Sequence, residues 1–313
     1  MSVFFQTDIK EEIYYLLKNK YIFIRYSNGV GNNIFQYNFC FTLISNKYRI
    51  KIINPFKLDK KMYNLRNRLI GSFLSLLHRL LGKYFKIISI INNSTRQIPD
   101  SNILLFDDTG EVISMFKGKE KVIKKNFFKL NSFLTHLDYS KVNKKVIVLH
   151  LRLGDRLLRK SDYKKGMFYD FDKLQLIINK EKQNLKNLSS IFVVTDSPKI
   201  MNIKNELDID IINSHISVDY KDRVDKRVAI SYIKRIQEFI IFNKASIFDS
   251  QFLYQDFNMM LNADVLILLH GTLSWWAGYL GKQSKVYVSE AWRPSKANNP
   301  LLSKYKSDKW LTW

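Results

Sequence analysis

Short apolar runs and longer amphipathic stretches alternate along the chain, and this pattern predicts a succession of strands and helices. In the first part of the chain, an aromatic and β-branched run at 21–26 leads through a glycine-containing turn into an apolar segment of helical length at 34–44. A second strand is predicted at 50–53, and apolar residues recur with a helical period from 62 to 88. Residues 89–140 have a mixed pattern that predicts no particular element.

The pattern becomes regular in the second part of the chain. We predict strands at 146–153, 191–194, 209–212, 265–269 and 285–288, and helices at about 170–183, 226–242, 252–262 and 272–280. Alternating strands and helices are typical of a parallel sheet covered by helices on both faces. Because 313 residues exceed what one hydrophobic core usually fills, we expect two domains, 1–140 and 141–313.

Composition and charge narrow the class of protein. Hydrophobic residues at 46% and charged residues at 25% exclude a collagen-like, disordered or disulfide-rich chain. The net charge of +23 favours phosphate-rich partners, which are nucleotides, nucleic acid or an anionic membrane face. The single cysteine, Cys40, permits no intrachain disulfide and predicts a reducing compartment. With no signal-peptide pattern and no run of about 18 apolar residues, we expect a cytoplasmic protein.

Glycines are concentrated where predicted strands end. Of the eleven glycines, six lie in three such segments: Gly29, Gly31, Gly154, Gly271, Gly278 and Gly281. A strand, a glycine turn and a helix N-terminus together form an anion site of the kind found in nucleotide-binding folds. The first segment, 28–33, is a poor dinucleotide fingerprint because Ile34 occupies the third glycine position, and a simple tight turn explains it equally well.

The second segment, 146–155, places polar groups at the end of an apolar strand. Side chains alternate along a strand, so His150 and Arg152 share one face. An arginine at the carboxyl end of a buried parallel strand suits a diphosphate. Asp155 could orient Arg152, deprotonate an acceptor or start a turn. For His150, a hydrogen-bonded core histidine is favoured over direct catalysis.

The third segment, 264–281, runs from an apolar strand into a helix. Thr272 and Ser274 can cap this helix or bind phosphate oxygens. Trp275 and Trp276 are adjacent and allow two alternatives: one packs in the core while the other shapes a cleft, or both are core or domain-interface residues. Asp196, after another strand, could bind a base or ribose, or form a turn.

No metal site is predicted. The D-x-D patterns at 170–172 and 208–210 fall at a helix start and within a strand pattern, and no Cys/His spacing suggests zinc. The phosphate-loop pattern of nucleoside triphosphatases and the nucleophile-elbow pattern of hydrolases are both missing from the sequence.

Taken in order, the motifs resemble those of glycosyltransferase family 11, the α-1,2-fucosyltransferases. That family has an N-terminal G-G-x-G-N-Q-x-F-Q-Y loop, a central H-x-R-R-G-D-Y and a late S-x-F-S-W-W-x-x-Y/W-L. This chain has N-G-V-G-N-N-I-F-Q-Y at 28–37, H-L-R-L-G-D at 150–155 and G-T-L-S-W-W-A-G-Y-L at 271–280. A further stretch, V-V-T-D-S at 193–197, resembles the family's F-S-D-D-like segment.

The resemblance implies a GT-B fold, with two facing Rossmann-like domains, the C-terminal one binding the donor and the N-terminal one the acceptor. It further implies GDP-fucose as the donor, inversion at the fucose anomeric carbon, and no metal or other cofactor. By this resemblance Arg152, Asp155 and His150 are candidate catalytic residues, with Asp155 as the base. The candidate donor-binding residues are Gly29, Gly31, Asn32, Arg152, Asp196, Ser197, Thr272, Ser274 and Trp275.

The chain departs from the family pattern at several positions. Asn28 replaces the first glycine, Leu153 the second arginine and Arg156 the tyrosine. The loss of one arginine removes a phosphate ligand, so a transferase for another nucleotide sugar remains an alternative. The resemblance points to members that work on the cytoplasmic membrane face, where the acceptor would be a lipid-linked glycan. The stretch 62–88 could contact anionic lipid, although an ordinary sheet-covering helix is favoured.

Two classes outside active transferases remain as alternatives. One is a nucleic-acid-binding protein, which the charge and the 44 aromatic residues would suit, although no nucleic-acid-binding motif is present and we expect no such partner. The other is a degenerate transferase that binds sugars without turnover.

Overall fold

The structure is a computed structural model that forms two compact units, Met1–Phe127 and Phe128–Trp313. It describes residues 21–25, 36, 49–53, 88–91, 103–106, 121–123, 145–153, 156–164, 168, 170–185, 188–209, 223–248, 250, 253–268, 271–289 and 309–313. The boundary predicted at 140/141 falls outside these residues and stays a prediction. Within the described part of the chain, no helix is long and apolar enough to cross a membrane.

The first unit contains a four-stranded parallel sheet. Its strands are β1 (Tyr21–Arg25), β2 (Arg49–Ile53), β3 (Ile88–Ile91) and β4 (Ile103–Phe106), in the order β2-β1-β4-β3. The predicted strands at 21–26 and 50–53 are confirmed. Strands β3 and β4 were not predicted, and Ile88 begins β3 rather than ending a helix. Within the predicted helix 34–44, the structure describes only Gln36, which is helical and buried.

The second unit is built from six strands and five helices among its described residues. The strands are β5 (Lys145–Leu151), β6 (Leu188–Thr195), β7 (Ser246–Ile247), β8 (Val265–Leu268), β9 (Lys285–Val288) and β10 (Trp310–Thr312). The helices are α1 (Lys160–Lys164), α2 (Phe171–Asn184), α3 (Lys226–Asn243), α4 (Leu253–Leu261) and α5 (Thr272–Leu280). Every strand and helix predicted in this unit is confirmed to within a few residues, apart from the strand at 209–212.

The predicted strand at 209–212 is wrong where the structure describes it. Glu206–Asp208 form a 3-10 turn, and Ile209 has helical backbone angles. The turn is stabilised by a capping box, in which the Asn205 side chain accepts from the Asp208 N–H and the Asp208 carboxylate accepts from the Asn205 N–H. This local hydrogen bonding accounts for the turn that leads into Ile209, and residues 210–212 lie outside the described part of the chain.

The strand order of the second sheet creates a reversal point. All strands are parallel, in the order β10-β9-β8-β5-β6-β7. The chain builds outwards from β5 through β6 to β7, and then returns to the other side of β5 with β8. Open α/β sheets bind ligands at such a reversal, in the crevice at the carboxyl ends of the two strands.

Helices cover both faces of this sheet, as predicted. Leu149, Leu151 and Leu153 belong to a buried core shared with α2 and α3. His150 points to the opposite face, where it lies against Gly271 at the start of α5. Helix α4 packs beside α5, and the Gln283 side chain donates to backbone carbonyls of both helices. The α/β class with parallel sheets is therefore confirmed.

Candidate nucleotide-binding site

The reversal between β5 and β8 brings together two of the predicted segments. His150 lies beside Leu268 in the register of these strands. Arg152 follows the last residue of β5 and is half-buried, and α5 begins four residues after β8 ends. The structure therefore places Arg152 and the N-terminus of α5 at one edge of the sheet.

His150 is a buried, uncharged side chain beneath this edge. Only 8% of it is exposed. Burial, together with the positive charge of Arg152, lowers the pKa of His150 to about 3. General acid–base catalysis works best with a pKa near the working pH, so this environment suits the core-histidine alternative. The catalytic role of His150 stays an untested prediction.

Gly271, at the start of α5, lies against His150. Its φ of +129° lies in the region that favours glycine. A Cβ at this position would lie 3.3 Å from both His150 Cε1 and Ser274 Oγ. As the N-cap, Gly271 has no side chain to accept from the first-turn N–H groups of α5. These N–H groups and the half-exposed Thr272 lie at the helix start for which an anion-binding role is predicted, and that role stays a prediction.

Three neighbouring side chains are buried beneath the start of α5. Ser274 is fully buried, and its hydroxyl donates to the Gly271 carbonyl oxygen at 2.9 Å. Trp275 and Trp276 are also fully buried, with ring centroids 5.0 Å apart in an edge-to-face arrangement. The structure therefore supports the alternative that both tryptophans lie in the core. Ser274 and Trp275 support the helix start from below instead of forming its surface.

The end of β6 contributes a turn beside Arg152. Asp196 is exposed, and its Oδ1 accepts from the Leu153 N–H at 2.8 Å. The Ser197 N–H donates to Thr195 Oγ1 at 3.1 Å. Ser197 is 5% exposed, and its hydroxyl has no hydrogen-bond partner among the residues that the structure describes. A buried hydroxyl of this kind, at the carboxyl ends of parallel strands, suits a ligand partner.

One arginine near this edge was not predicted as a site residue. The Leu157 N–H donates to the Leu153 carbonyl oxygen at 2.7 Å, which closes a turn directly after β5. Within this turn, Arg156 Nη1 lies 3.1 Å from both carboxylate oxygens of the buried Asp162. From sequence, Arg156 was only a departure from the family pattern. The signal of this ion pair in the sequence was the acidic residue six positions later, Asp162.

Several predicted site residues lie outside the described part of the chain: Gly29, Gly31, Asn32 and Asp155. Strand β1, which leads to the first glycine segment, lies beside β4 at the reversal point of its own sheet. In the described part of the chain, no group of three or more His, Cys, Asp or Glu side chains could hold a metal ion.

Comparison with known proteins found a likeness among solved structures but none among sequences. Neither a protein-family model nor a curated protein sequence matches the chain. Among solved structures, the chain is similar to a point mutant of FUT1 from Arabidopsis thaliana, a fucosyltransferase, in complex with GDP. The identity is 12% and the TM-score 0.42, and the match covers 90% of this chain and 74% of that one. A likeness of this size carries no functional argument, so the function of the chain has to be inferred from its own residues.

Proposed function

We propose that this protein is a glycosyltransferase of the GT-B type that transfers L-fucose from GDP-fucose to a galactoside hydroxyl. The observation that carries the proposal is the convergence of Arg152 and the uncapped N-terminus of α5 at the β5/β8 reversal. A planar guanidinium and a set of helix N–H groups are both suited to a diphosphate. The motif resemblance to α-1,2-fucosyltransferases then selects the guanosine nucleotide and the sugar.

The reaction requires a leaving group to be stabilised and a proton to be removed. The acceptor oxygen forms a bond to C1 of fucose while the bond from C1 to the diphosphate oxygen breaks, with inversion at C1. Negative charge builds up on GDP as it leaves, and Arg152 with the α5 N–H groups stabilises that charge. Asp155, assigned by resemblance, takes the proton from the acceptor hydroxyl. The proposed reaction uses no metal and no further cofactor.

The other site residues divide into ligands and supports. Thr272 binds phosphate oxygens at the start of α5, and the Ser197 hydroxyl binds the nucleoside. Ser274, Trp275 and His150 keep the start of α5 in place: Ser274 and Trp275 are buried within its first turn, and His150 lies against its N-cap, Gly271. By resemblance, Gly29, Gly31 and Asn32 provide further donor contacts. We propose a lipid-linked glycan as the acceptor and peripheral contact with the cytoplasmic membrane face.

Isothermal titration with GDP, UDP and NADPH in the presence of EDTA tests the donor assignment. We expect binding that is selective for GDP and that falls at least tenfold in Arg152→Ala, because the variant lacks the charge-assisted contacts to the diphosphate. Lys180→Ala, which removes one exposed positive charge from α2, is the matched control and should bind GDP normally. Stronger binding of UDP or NADPH, or no nucleotide binding at all, would overturn the donor assignment.

The same variants test the nucleic-acid-binding alternative. Binding to nucleic acid would persist in Arg152→Ala and fall steeply with salt, since it depends on many phosphate contacts. Transfer of fucose from GDP-fucose to a galactoside, followed by mass spectrometry, then distinguishes an active transferase from one that only binds sugars.

A further inference from the structure

We infer that Asp196 is a positioning residue that fixes Arg152, rather than a ligand of the nucleoside. The inference rests on the proposed function, because it concerns how the donor diphosphate is recognised. Its starting point is the hydrogen bond from the Leu153 N–H to Asp196 Oδ1, which joins the residue after Arg152 to the turn after β6.

Leu153 is anchored at three points. Its N–H donates to Asp196 at 2.8 Å, and its carbonyl oxygen accepts from the Leu157 N–H at 2.7 Å. Its side chain is 1% exposed and lies in the core beneath α2 and α3. The backbone on the carboxyl side of Arg152 is therefore held by two hydrogen bonds and by core packing.

The backbone on the amino side of Arg152 is held by the same strand, β6. Leu151 pairs with Thr195, the residue before Asp196. Arg152 is thus a single residue between two neighbours that are both tied to the end of β6. Such a fixed backbone reduces the conformational freedom that Arg152 loses when it binds a diphosphate.

The turn that carries Asp196 is itself well held. The Ser197 N–H donates to Thr195 Oγ1 at 3.1 Å, and the Ser197 carbonyl oxygen accepts from the Ile200 N–H at 3.1 Å. The Asp196 carboxylate is therefore presented to Leu153 from a hydrogen-bonded turn. Because Oδ1 accepts from the Leu153 N–H, the carboxylate holds the peptide group that directly follows Arg152.

Comparing guanosine with GDP separates the two roles of Asp196. Guanosine has no phosphates, so its binding does not depend on the position of Arg152. In Asp196→Ala we expect GDP affinity to fall by about 3- to 10-fold, the range for one lost hydrogen bond, with guanosine affinity unchanged. Asp196→Asn should restore most of the GDP affinity, because its carbonyl oxygen can still accept from the Leu153 N–H.

A matched control accounts for effects on folding. Asp208→Ala also removes a carboxylate that accepts from backbone N–H groups, those of Lys204 and Asn205, but in a turn that contains none of the proposed site residues. It should melt at a temperature similar to that of Asp196→Ala and bind GDP normally. A parallel loss of guanosine and GDP affinity in Asp196→Ala, or an Asp196→Asn variant as weak as Asp196→Ala, would overturn the inference.

A double-mutant cycle gives a second, independent readout. In an Arg152→Lys background, whose cation lacks the planar fork, Asp196→Ala should reduce GDP affinity by much less than it does in the wild type. If Arg152 and Asp196 contacted GDP independently, the fold-losses in GDP affinity of the two single variants would instead multiply in the double variant. Failure of the wild type to bind GDP would overturn the proposed function itself, whereas the outcomes above concern only the role of Asp196.

Discussion

The buried polar groups at the two edges of the second sheet differ in whether they have hydrogen-bond partners. At the amino edge, Glu181 in the last turn of α2 is fully buried, and its carboxylate accepts from Lys285 Nζ at 2.8 Å and from the Tyr287 hydroxyl at 2.6 Å. At the carboxyl edge, the buried Ser197 hydroxyl has no hydrogen-bond partner among the described residues, and His150 lies uncharged beside Arg152.

The difference is between a buried carboxylate that has hydrogen-bond partners within the fold and a buried hydroxyl that has none among the described residues. Burial on its own would raise the pKa of Glu181, but the hydrogen bonds from Lys285 and Tyr287 and the charge of Lys285 together lower it. The negative charge of Glu181 is therefore balanced within the amino-edge cluster, which consists of Glu181, Lys285 and Tyr287. At the carboxyl edge, the buried Ser197 hydroxyl makes no hydrogen bond among the described residues, and no side chain caps α5, so this edge is where we propose that the donor binds.

The largest effect should come from breaking the amino-edge cluster. Glu181→Gln leaves Lys285 beside the buried site without its counter-charge, and we expect the free energy of unfolding to fall by about 3 kcal/mol. Urea unfolding measures this change. GDP affinity should be unaffected, because the cluster lies at the edge opposite the proposed site.

Glu238→Gln is the matched control, since Glu238 is exposed on the neighbouring helix α3. Its free energy of unfolding should stay within about 0.5 kcal/mol of the wild-type value. Equal effects of the two variants would mean that the Glu181 cluster contributes no more than an exposed carboxylate.

Hydrophobic periodicity was enough to predict the elements of the second unit that have a strong pattern of their own. Helix α3 is an example: it begins after the cap Asp225, and its buried positions recur with a helical period. Strands β7 and β10, with two and three residues, are too short for any period to be visible. Their formation depends on pairing with β6 and β9, which are distant in sequence.

Site prediction had a similar limit. The predicted strand ends were enough to place Arg152 and the start of α5 at one edge, because parallel strands end at the same side of a sheet. The Leu153–Asp196 hydrogen bond joins residues 43 positions apart, so no local pattern could reveal it. The burial of both Trp275 and Trp276 likewise depends on tertiary contacts, including the ring of Trp310 5.9 Å from Trp275.

The next largest effect concerns the pH dependence of His150. Its pKa is lowered from an ordinary value of 6.5 to about 3, so below about pH 6.5 the unfolded chain binds a proton that the folded chain does not. Stability is therefore lost as the pH falls below 6.5, by up to about 1.4 kcal/mol per pH unit, or about 2 kcal/mol by about pH 5. Urea unfolding between about pH 7 and about pH 5 measures the slope.

His150→Asn isolates this contribution, because the variant cannot be protonated at this position. Its stability should depend less on pH than that of the wild type over the same range. The Glu181 contribution is lost only at lower pH, as the pH falls below the ordinary value of 4.5, because the pKa of Glu181 is lowered from there. Parallel pH profiles for wild type and His150→Asn would show that His150 is not held uncharged by the fold.

The smallest effects come from removing one hydroxyl at each edge. Tyr287→Phe removes the hydroxyl that donates to Glu181, and we expect a loss of about 1.5 kcal/mol in the free energy of unfolding with no change in GDP affinity.

Ser197→Ala removes a hydroxyl that makes no hydrogen bond within the described structure, so the free energy of unfolding should change by less than about 0.5 kcal/mol. GDP affinity should instead fall by about threefold, because the bound nucleotide loses a partner. If Ser197→Ala destabilises the fold as much as Tyr287→Phe and leaves GDP affinity intact, the contrast between the two edges does not hold.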